Sequence, residues 1–442
     1  MLSLAQARLE AQKLILFAAA AAVSPMLSAA AAAAAQAPAA TATADPAMTT
    51  QAAALLPVLA GQPGYAALFT DSFRAAVPEP QWTAITSQLR TTLGAPQRVA
   101  RIAPAGRWAA TWVIDYARGS ATMLVALDPA VPHRIAGLRI TGTTLTGDSL
   151  AKLRADLAAL PAGVSFGLYP LDATTAPAIA REDDRPMPLG SAFKLWVLAE
   201  AARQVAAGRH RWDEVVPVGP PSLPSGMLQS WPAKTPVTLQ TLATLMISIS
   251  DNTATDTLMR VLGHDGIDAI AARFGGATPV PTTREAFAIK ADAALTKRWT
   301  ASDAAGRRAL LDAEASRIAA ARLDPLMFSS GAVASESVEW FAAPRDMARL
   351  LASLRDAGPV VRAILAVNPG IDPATAARFA YVGFKGGAEP GVVTLNLLLH
   401  TRGDRWYALS AGWHHAEGID EPRLLALVTR AAALVADEGP KD

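Results

Sequence analysis

The chain has 442 residues, enough for two domains without requiring a third. Lys and Arg total 40 against 38 Asp and Glu, a net charge of +2, and no basic block stands out to give a nucleic acid an electrostatic footprint. Cysteine is absent, which excludes disulfides, thiolate metal sites and a lipid-anchored N-terminal Cys.

Residues 1–35 have the form of a signal peptide. Arg8 and Lys13 precede an apolar stretch over 14–35 that ends in small residues suited to an Ala-x-Ala cut, with cleavage expected after about Ala35. Pro25 and the alanine-rich, weakly hydrophobic content argue against an uncleaved anchor, and no other segment is long and apolar enough to span a bilayer. A periplasmic or secreted protein, with no membrane span after cleavage, is expected. Residues 36–52 read as a low-complexity Ala/Thr/Pro linker with too little large apolar surface to fold.

Residues 53–143 read as a small α+β domain, with helices first and strands second. Apolar residues at helical spacing predict helices over 65–77 (Leu68, Phe69, Phe73) and 80–93 (Trp82, Ile85, Leu89). Three strand-like runs follow, over 108–116, 121–127 and 134–140, with turns at Arg118-Gly119 and Asp128-Pro129. Helices on one face of a short antiparallel sheet are the natural packing. No nucleophile–base pair falls in this domain, so it reads as a packing or substrate-gating appendage.

The second domain, 144–442, opens with an amphipathic helix over 150–160, stopped by Pro161 and Gly163, and a strand over 164–169. A long helical middle follows, then strands over 392–400 and 406–411 and a helix over 421–436. The fold class expected is α+β: one antiparallel sheet whose first and last strands are far apart in sequence, flanked by helices and a helical lobe.

Three fragments of this domain carry chemistry. The first is Ser191-Ala-Phe-Lys194, after Pro188-Leu-Gly190 and before a helical pattern. It places Ser191 at a helix N-terminus, where its own N–H is free for an oxyanion and the helix dipole favours negative charge. Lys194 lies on the same helical face, and a desolvated lysine can lose its proton and take one from a serine hydroxyl. The second is Ser250-Asp251-Asn252, between helical runs over 239–247 and 253–262. Ser250 is suited to relay a proton to a leaving nitrogen and Asn252 to bond a substrate amide and Lys194; the competing reading of the triplet is a plain helix cap. The third is Lys385-Gly386-Gly387 in a β-rich run, where the glycines allow a substrate to lie along the strand edge and Lys385 supplies charge for a carboxylate. The N–H of Ala388 is the natural second donor of an oxyanion hole. Phe384 is grouped with Gly386 and Gly387 as a substrate-binding position. His414-His415 has no further His/Asp/Glu pattern and reads as a loop feature; no metal and no cofactor is implied.

The order and spacing of these fragments resemble the serine β-lactamase and penicillin-binding protein superfamily, and the Ser-Asp-Asn-Thr-Ala-Thr-Asp-Thr-Leu run over 250–258 is close to the class A β-lactamases. The stretch beginning Gly226-Met-Leu-Gln-Ser-Trp-Pro, the Thr283-Arg284-Glu285 element and the run Phe384-Lys-Gly-Gly-Ala-Glu-Pro-Gly391 resemble a subgroup of two-domain, β-lactamase-like serine hydrolases in which a small isomerase-like α+β domain comes first, one member belonging to clavulanic acid biosynthesis. The resemblance covers the chain from about Ala53 onward and implies an enzyme acting on cyclic amides through an acyl-enzyme at Ser191, on a small-molecule substrate, as a monomer.

Two departures stand out. The Glu-x-x-Leu-Asn element that activates the deacylating water in class A enzymes is missing; Glu285, thirty-five residues beyond Ser250, lies about where that glutamate belongs, but a charged helical insertion over 291–322 replaces the usual loop. Glu285 is thus either a deacylation base or a partner of Arg284 or Arg273. Gly386 stands where the family has Ser or Thr, which removes a hydrogen bond to a substrate carboxylate worth about 1–3 kcal/mol. Three functions stay open: hydrolysis of β-lactams with slow deacylation, an esterase or peptidoglycan DD-peptidase of the same superfamily, and a non-catalytic binding protein.

Overall fold

The computed structural model describes residues 45–171, 176–323 and 331–436. The expected signal segment, 1–35, and residues 36–44 of the expected linker lie outside the described residues. The chain divides into two compact units, Met1–Asp148 and Ser149–Asp442. The boundary falls later than residue 143 because the last strand of the first unit runs on to Leu145, opposite Gly119.

The first unit begins with α1 (Ala47–Leu59). This helix takes in residues 47–52, assigned to the linker from composition: Met48, Ala52, Leu55 and Leu59 recur on one face and are fully covered, so a modest apolar stripe is enough once a sheet receives it. The single helix expected over 65–77 is two, α2 (Tyr65–Leu68) and α3 (Asp71–Ala76). Between them Phe69 pairs with Ile135, the Thr70 N–H donates to the Ile135 carbonyl, and the Thr70 hydroxyl caps α3. After α4 (Glu79–Leu93) come β1 (Pro96–Pro104), β2 (Ala109–Tyr116), β3 (Gly119–Leu127) and β4 (Ile135–Leu145), an antiparallel sheet in sequence order. The sequence suggests only the last three. β1 escapes notice because prolines bracket it and Arg98 and Arg101 break its alternation, as expected of an edge strand. Trp112, Ile114, Met123 and Val125 share a core with Leu55, Trp82 and Leu93 of the helices and with Phe69 between α2 and α3.

The second unit is built on a five-stranded antiparallel sheet whose strands lie in the order 379–389, 392–401, 406–414, 164–170, 179–181. Its elements run α5 (Leu150–Ala158), β5 (Val164–Pro170), β6 (Ile179–Arg181), β7 (Met187–Pro188), a 3₁₀ turn over Gly190–Phe193, and α6 (Lys194–Ala206). A helical lobe follows: β8 (Val215–Pro217) and β9 (Pro236–Thr238) as a small hairpin, then α7 (Leu239–Ser248), α8 (Asn252–Leu262) and α9 (His264–Arg273). The helices α10 (Thr283–Ala291), α11 (Ala293–Ala301) and α12 (Ala304–Ala320) gather their own small core around Ile289, Leu295, Trp299 and Leu311. The chain returns through β10 (Phe341–Ala342), α13 (Pro344–Arg355), α14 (Pro359–Ala366) and α15 (Pro373–Ala376) to β11 (Phe379–Glu389), β12 (Val392–Thr401), β13 (Trp406–His414) and α16 (Glu421–Val435).

Strand alternation divides the sheet between two cores. Leu397, Leu399, Tyr407 and Leu409 pack with α5 and α16, whereas Leu398 and Ala408 pack with α6, α7, α8 and α13. The architecture is the α+β arrangement expected, with early and late strands joined where β5 pairs with β13. No helix of the described residues is long and apolar enough to cross a membrane.

Candidate active site

The site lies where the 3₁₀ turn, the α7–α8 junction and the edge strand β11 meet. Ser191 sits in that turn, one residue after Gly190, whose φ of +48° is a left-handed value that glycine adopts freely. The turn leads directly into α6, so the N–H of Ser191 belongs to the first turn, where helical amides lack intrahelical partners. Ser191 is half-buried, and Lys194 is fully covered.

Lys194 organises the cluster. Its Nζ lies 2.7 Å from the Ser250 carbonyl oxygen, 2.7 Å from Asn252 Oδ1 and 3.1 Å from Ser250 Oγ; Ser191 Oγ is not among its partners. Burial, reinforced by the neighbouring Lys385 ammonium, holds its pKa well below the usual lysine range. A neutral amine has two N–H groups, which the two 2.7 Å acceptors use. Its lone pair is then the partner of a hydroxyl, and such an amine can accept a proton from a serine.

Ser250 holds the junction between α7 and α8 at a φ of +60°, a conformation costly for any residue but glycine. It is fixed from both sides. Ser225 Oγ donates to the Ser250 carbonyl at 2.7 Å, and Asp251 caps α8 by accepting the Ala254 N–H at 2.8 Å. The other Asp251 oxygen takes the N–H groups of Met227 and Leu228 at 2.7 and 2.9 Å. Gly226, at φ +114°, leaves room for this: a Cβ there would stand 2.3 Å from Asp251 Cγ. The two readings of the triplet therefore divide by residue, Asp251 serving as the cap while Ser250 and Asn252 face Lys194. Asn252 is oriented by its own Nδ2 donating to the Leu223 carbonyl at 3.1 Å.

From the other side, Lys385 Nζ donates to Ser250 Oγ at 3.1 Å and to the Gly386 carbonyl at 2.8 Å. It is almost completely buried, and burial lowers its pKa to about 7. Ser250 Oγ thus bridges two amines of depressed basicity.

β11 is an edge strand, and its glycines set how closely it meets the Ser191 turn. A Cβ on Gly387 would lie 2.1 Å from the Leu189 carbonyl oxygen and 2.6 Å from the Ser191 nitrogen, so no other residue fits without moving the turn. A Cβ on Gly190 would meet the Ala388 nitrogen at 3.3 Å, which places that amide beside the turn. Gly386 has a different neighbour: its Cβ would lie 2.8 Å from the edge of the Phe384 ring. That ring in turn packs on Gly370, so Phe384 occupies the space a Ser or Thr side chain needs.

Glu285 is the third residue of α10 and half of a capping box. Its carboxylate accepts the Thr282 N–H at 2.7 Å, and its own N–H donates to Thr282 Oγ1 at 3.1 Å. The cluster around Lys194 does not include it. Asp256 of α8 reaches the same helix start, accepting from the Thr283 N–H, the Thr283 hydroxyl and the Arg284 N–H. His414 ends β13 with Nε2 beside Ser335 Oγ, and His415 donates its N–H to the Gly391 carbonyl.

Sequence reasoning passes over one group altogether. Lys290 of α10 forms buried ion pairs with Glu339 at 2.6 Å and with Glu389 at 2.7 Å. A lysine in the last turn of an amphipathic helix and two scattered glutamates give no sequence signal; only the fold brings them together.

Residues 149–361 match the model of the Beta-lactamase enzyme family. Among solved structures, a β-lactamase from Sphaerobacter thermophilus is 19% identical, covering 65% of this chain and 96% of its own, with a TM-score of 0.45. PBP-A is 17% identical over 65% of this chain and 94% of its own, with a TM-score of 0.44. A representative class A β-lactamase from Bacteroides cellulosilyticus is 14% identical over 66% and 98%, with a TM-score of 0.46. No curated protein matches the chain. The family match takes in Ser191, Lys194, Ser250 and Asn252 and ends before Lys385, so it is the helical side of the site, with the turn that carries Ser191, that is similar to the Beta-lactamase enzyme family.

Proposed function

We propose that the chain is an exported serine hydrolase that forms an acyl-enzyme at Ser191, with β-lactams as its substrates. The observation that carries this reading is Lys194: a fully buried amine of depressed pKa, one helical turn from Ser191 and bonded to both Ser250 and Asn252. Burying a cationic amine without a carboxylate at hydrogen-bond distance is costly, and the cost has a chemical use when the amine must be neutral.

In the reaction proposed, Ser191 Oγ attacks the lactam carbonyl carbon and its proton passes to Lys194 Nζ. The N–H groups of Ser191 and Ala388 receive the developing oxyanion. As the ring C–N bond breaks, the leaving nitrogen takes a proton from Ser250 Oγ, which is replenished from Lys194. Lys385 holds the substrate carboxylate, and the free edge of β11 beside Gly387 lets the acyl side chain lie alongside as an added strand. Asn252 orients the side-chain amide.

Deacylation is the slow step in this reading, because the Glu285 carboxylate is committed to its capping box. Gly386 supports esters as a second substrate class, since an ester without a carboxylate loses nothing from the missing hydroxyl. The test is to incubate the mature protein with penicillins, cephalosporins and p-nitrophenyl esters, following intact mass alongside hydrolysis, with Ser191→Ala as control. A mass increase equal to the β-lactam, arising in a burst and decaying slowly, is expected. No adduct and no hydrolysis by the wild type leaves only a binding protein.

A further inference from the structure

Behind the nucleophile turn lies a buried cluster of three charged groups. Lys290 Nζ contacts Glu339 Oε1 at 2.6 Å and both carboxylate oxygens of Glu389 at 2.8 and 2.7 Å. The Lys290 and Glu339 side chains are each 1% exposed and that of Glu389 is 11% exposed. The second oxygen of Glu339 accepts the Gly190 N–H at 3.1 Å. Glu389 follows Ala388 directly at the end of β11.

These positions have a common geometry. The two amides assigned to the oxyanion belong to Ser191 and Ala388. The residue before Ser191 is tied through its N–H to Glu339, and the residue after Ala388 is tied through its side chain to Lys290. One ammonium on α10 therefore joins the two backbone segments that must present their N–H groups to a single point. The turn has other supports: Thr394 Oγ1 donates to the Leu189 carbonyl at 2.8 Å, Leu189 N–H donates to the Trp340 carbonyl, and Trp340 stacks on Phe193 at 3.9 Å between ring centroids. None of these reaches Glu389.

Stability alone does not account for the cluster, because buried ion pairs replaced by packed apolar residues are often neutral or stabilising. Apolar residues lack an acceptor for the Gly190 N–H and a directional tie between two segments.

We propose that Lys290 is a positioning residue for acylation: by binding Glu339 and Glu389 together it fixes the distance between the Ser191 and Ala388 amides. This deepens the Ser191 acyl-enzyme reading and rests on it.

The test compares the full chain with two variants, Glu389→Gln and the uncharged triple variant Lys290→Met/Glu339→Gln/Glu389→Gln, which leaves no unpaired buried charge. Two second-order rates are read: acylation by a cephalosporin, and labelling by a fluorophosphonate, in which Ser191 Oγ bonds to phosphorus, fluoride leaves and the serine proton passes to Lys194. Substrate affinity is read separately in the Ser191→Ala background. Both variants are expected to lose about 10- to 100-fold in both rates, less than removal of an oxyanion donor, with affinity unchanged. A folded variant of either kind that keeps both rates within about twofold of wild type overturns the proposal, as does failure of both to fold. The underlying reading fails differently. Wild type labelled by the fluorophosphonate but not by any β-lactam refutes the substrate class and leaves the clamp tested by the probe, whereas wild type labelled by neither refutes Ser191 as nucleophile and the clamp with it.

Discussion

At the scale of single residues, the site depends on two side chains that are costly to bury and one that is absent. Gly387 is the absent one. Its missing Cβ is the space between β11 and the Ser191 amide, and Gly387→Ala should lower the acylation rate by about 10²–10³-fold, the loss seen when one oxyanion donor is removed, as read from the pre-steady-state burst. Lys385 gives a pH signature. With its pKa lowered to about 7 by burial, it loses its charge as pH rises through that value in the free protein. KM for a carboxylate-bearing β-lactam should therefore rise above pH 7 while KM for a neutral p-nitrophenyl ester stays flat; parallel profiles for the two substrates would remove Lys385 from carboxylate binding. The residues in this arrangement are legible in sequence to different degrees. Ser191, Lys194, Ser250, Asn252 and Lys385 stand in fragments that the sequence singles out, and the fold joins the last four by hydrogen bonds. The space denied at Gly386 by the Phe384 ring depends on Gly370, and such three-way packing has no linear pattern.

At the scale of elements, the segment 283–320 is the part that distinguishes this chain from the pattern it resembles. The charged, helical character of its part from 291 onward is readable in the sequence, and α11 and α12 lie there. What it does with Glu285 is readable only as a local rule: Thr282 followed three residues later by Glu285 is a capping-box signature, and the structure has that box. Glu285→Gln preserves the box and should leave both stability and deacylation rate near wild type. Glu285→Ala removes one arm and should cost about 0.5–2 kcal/mol in denaturant unfolding with acylation unchanged. A deacylation rate that collapses in Glu285→Gln would restore this residue as the base. The first unit teaches a complementary lesson. α1 and β1 go unrecognised because a short stripe of Met48, Ala52, Leu55 and Leu59 or an Arg-bearing edge strand looks polar or low in complexity until a neighbouring sheet or helix supplies the other half of the contact.

At the scale of the whole molecule, the buried amines make stability depend on pH in a defined sense. The folded-state pKa of Lys385 is about 7, below its ordinary value of 10.5. Below pH 7 both states hold the proton and the full burial cost is present. Between 7 and 10.5 the unfolded chain holds a proton the native state lacks, so stability rises with pH by up to about 1.4 kcal/mol per pH unit from this group, and above 10.5 the cost is gone. Lys385→Met should accordingly be more stable than wild type at pH 7 by calorimetry, with an advantage that shrinks as pH approaches 10. An advantage independent of pH would mean that burial does not depress this lysine. Such a gain in stability at the expense of chemistry is the usual trade at a strained site.

The pairing of β5 with β13 joins residues more than two hundred positions apart, and β11, which seats against the Ser191 turn, belongs to the late half of that sheet. Contacts of such long sequence separation are the slow ones to form. The serine is therefore synthesised early but stays without its cradle until the last strands arrive. If Ser191 is the nucleophile, a growing or unfolded chain carries only an inert hydroxyl, and any loss of the C-terminal strands disarms the site at once. Reactivity here is a property of the finished chain, which would suit the export proposed above.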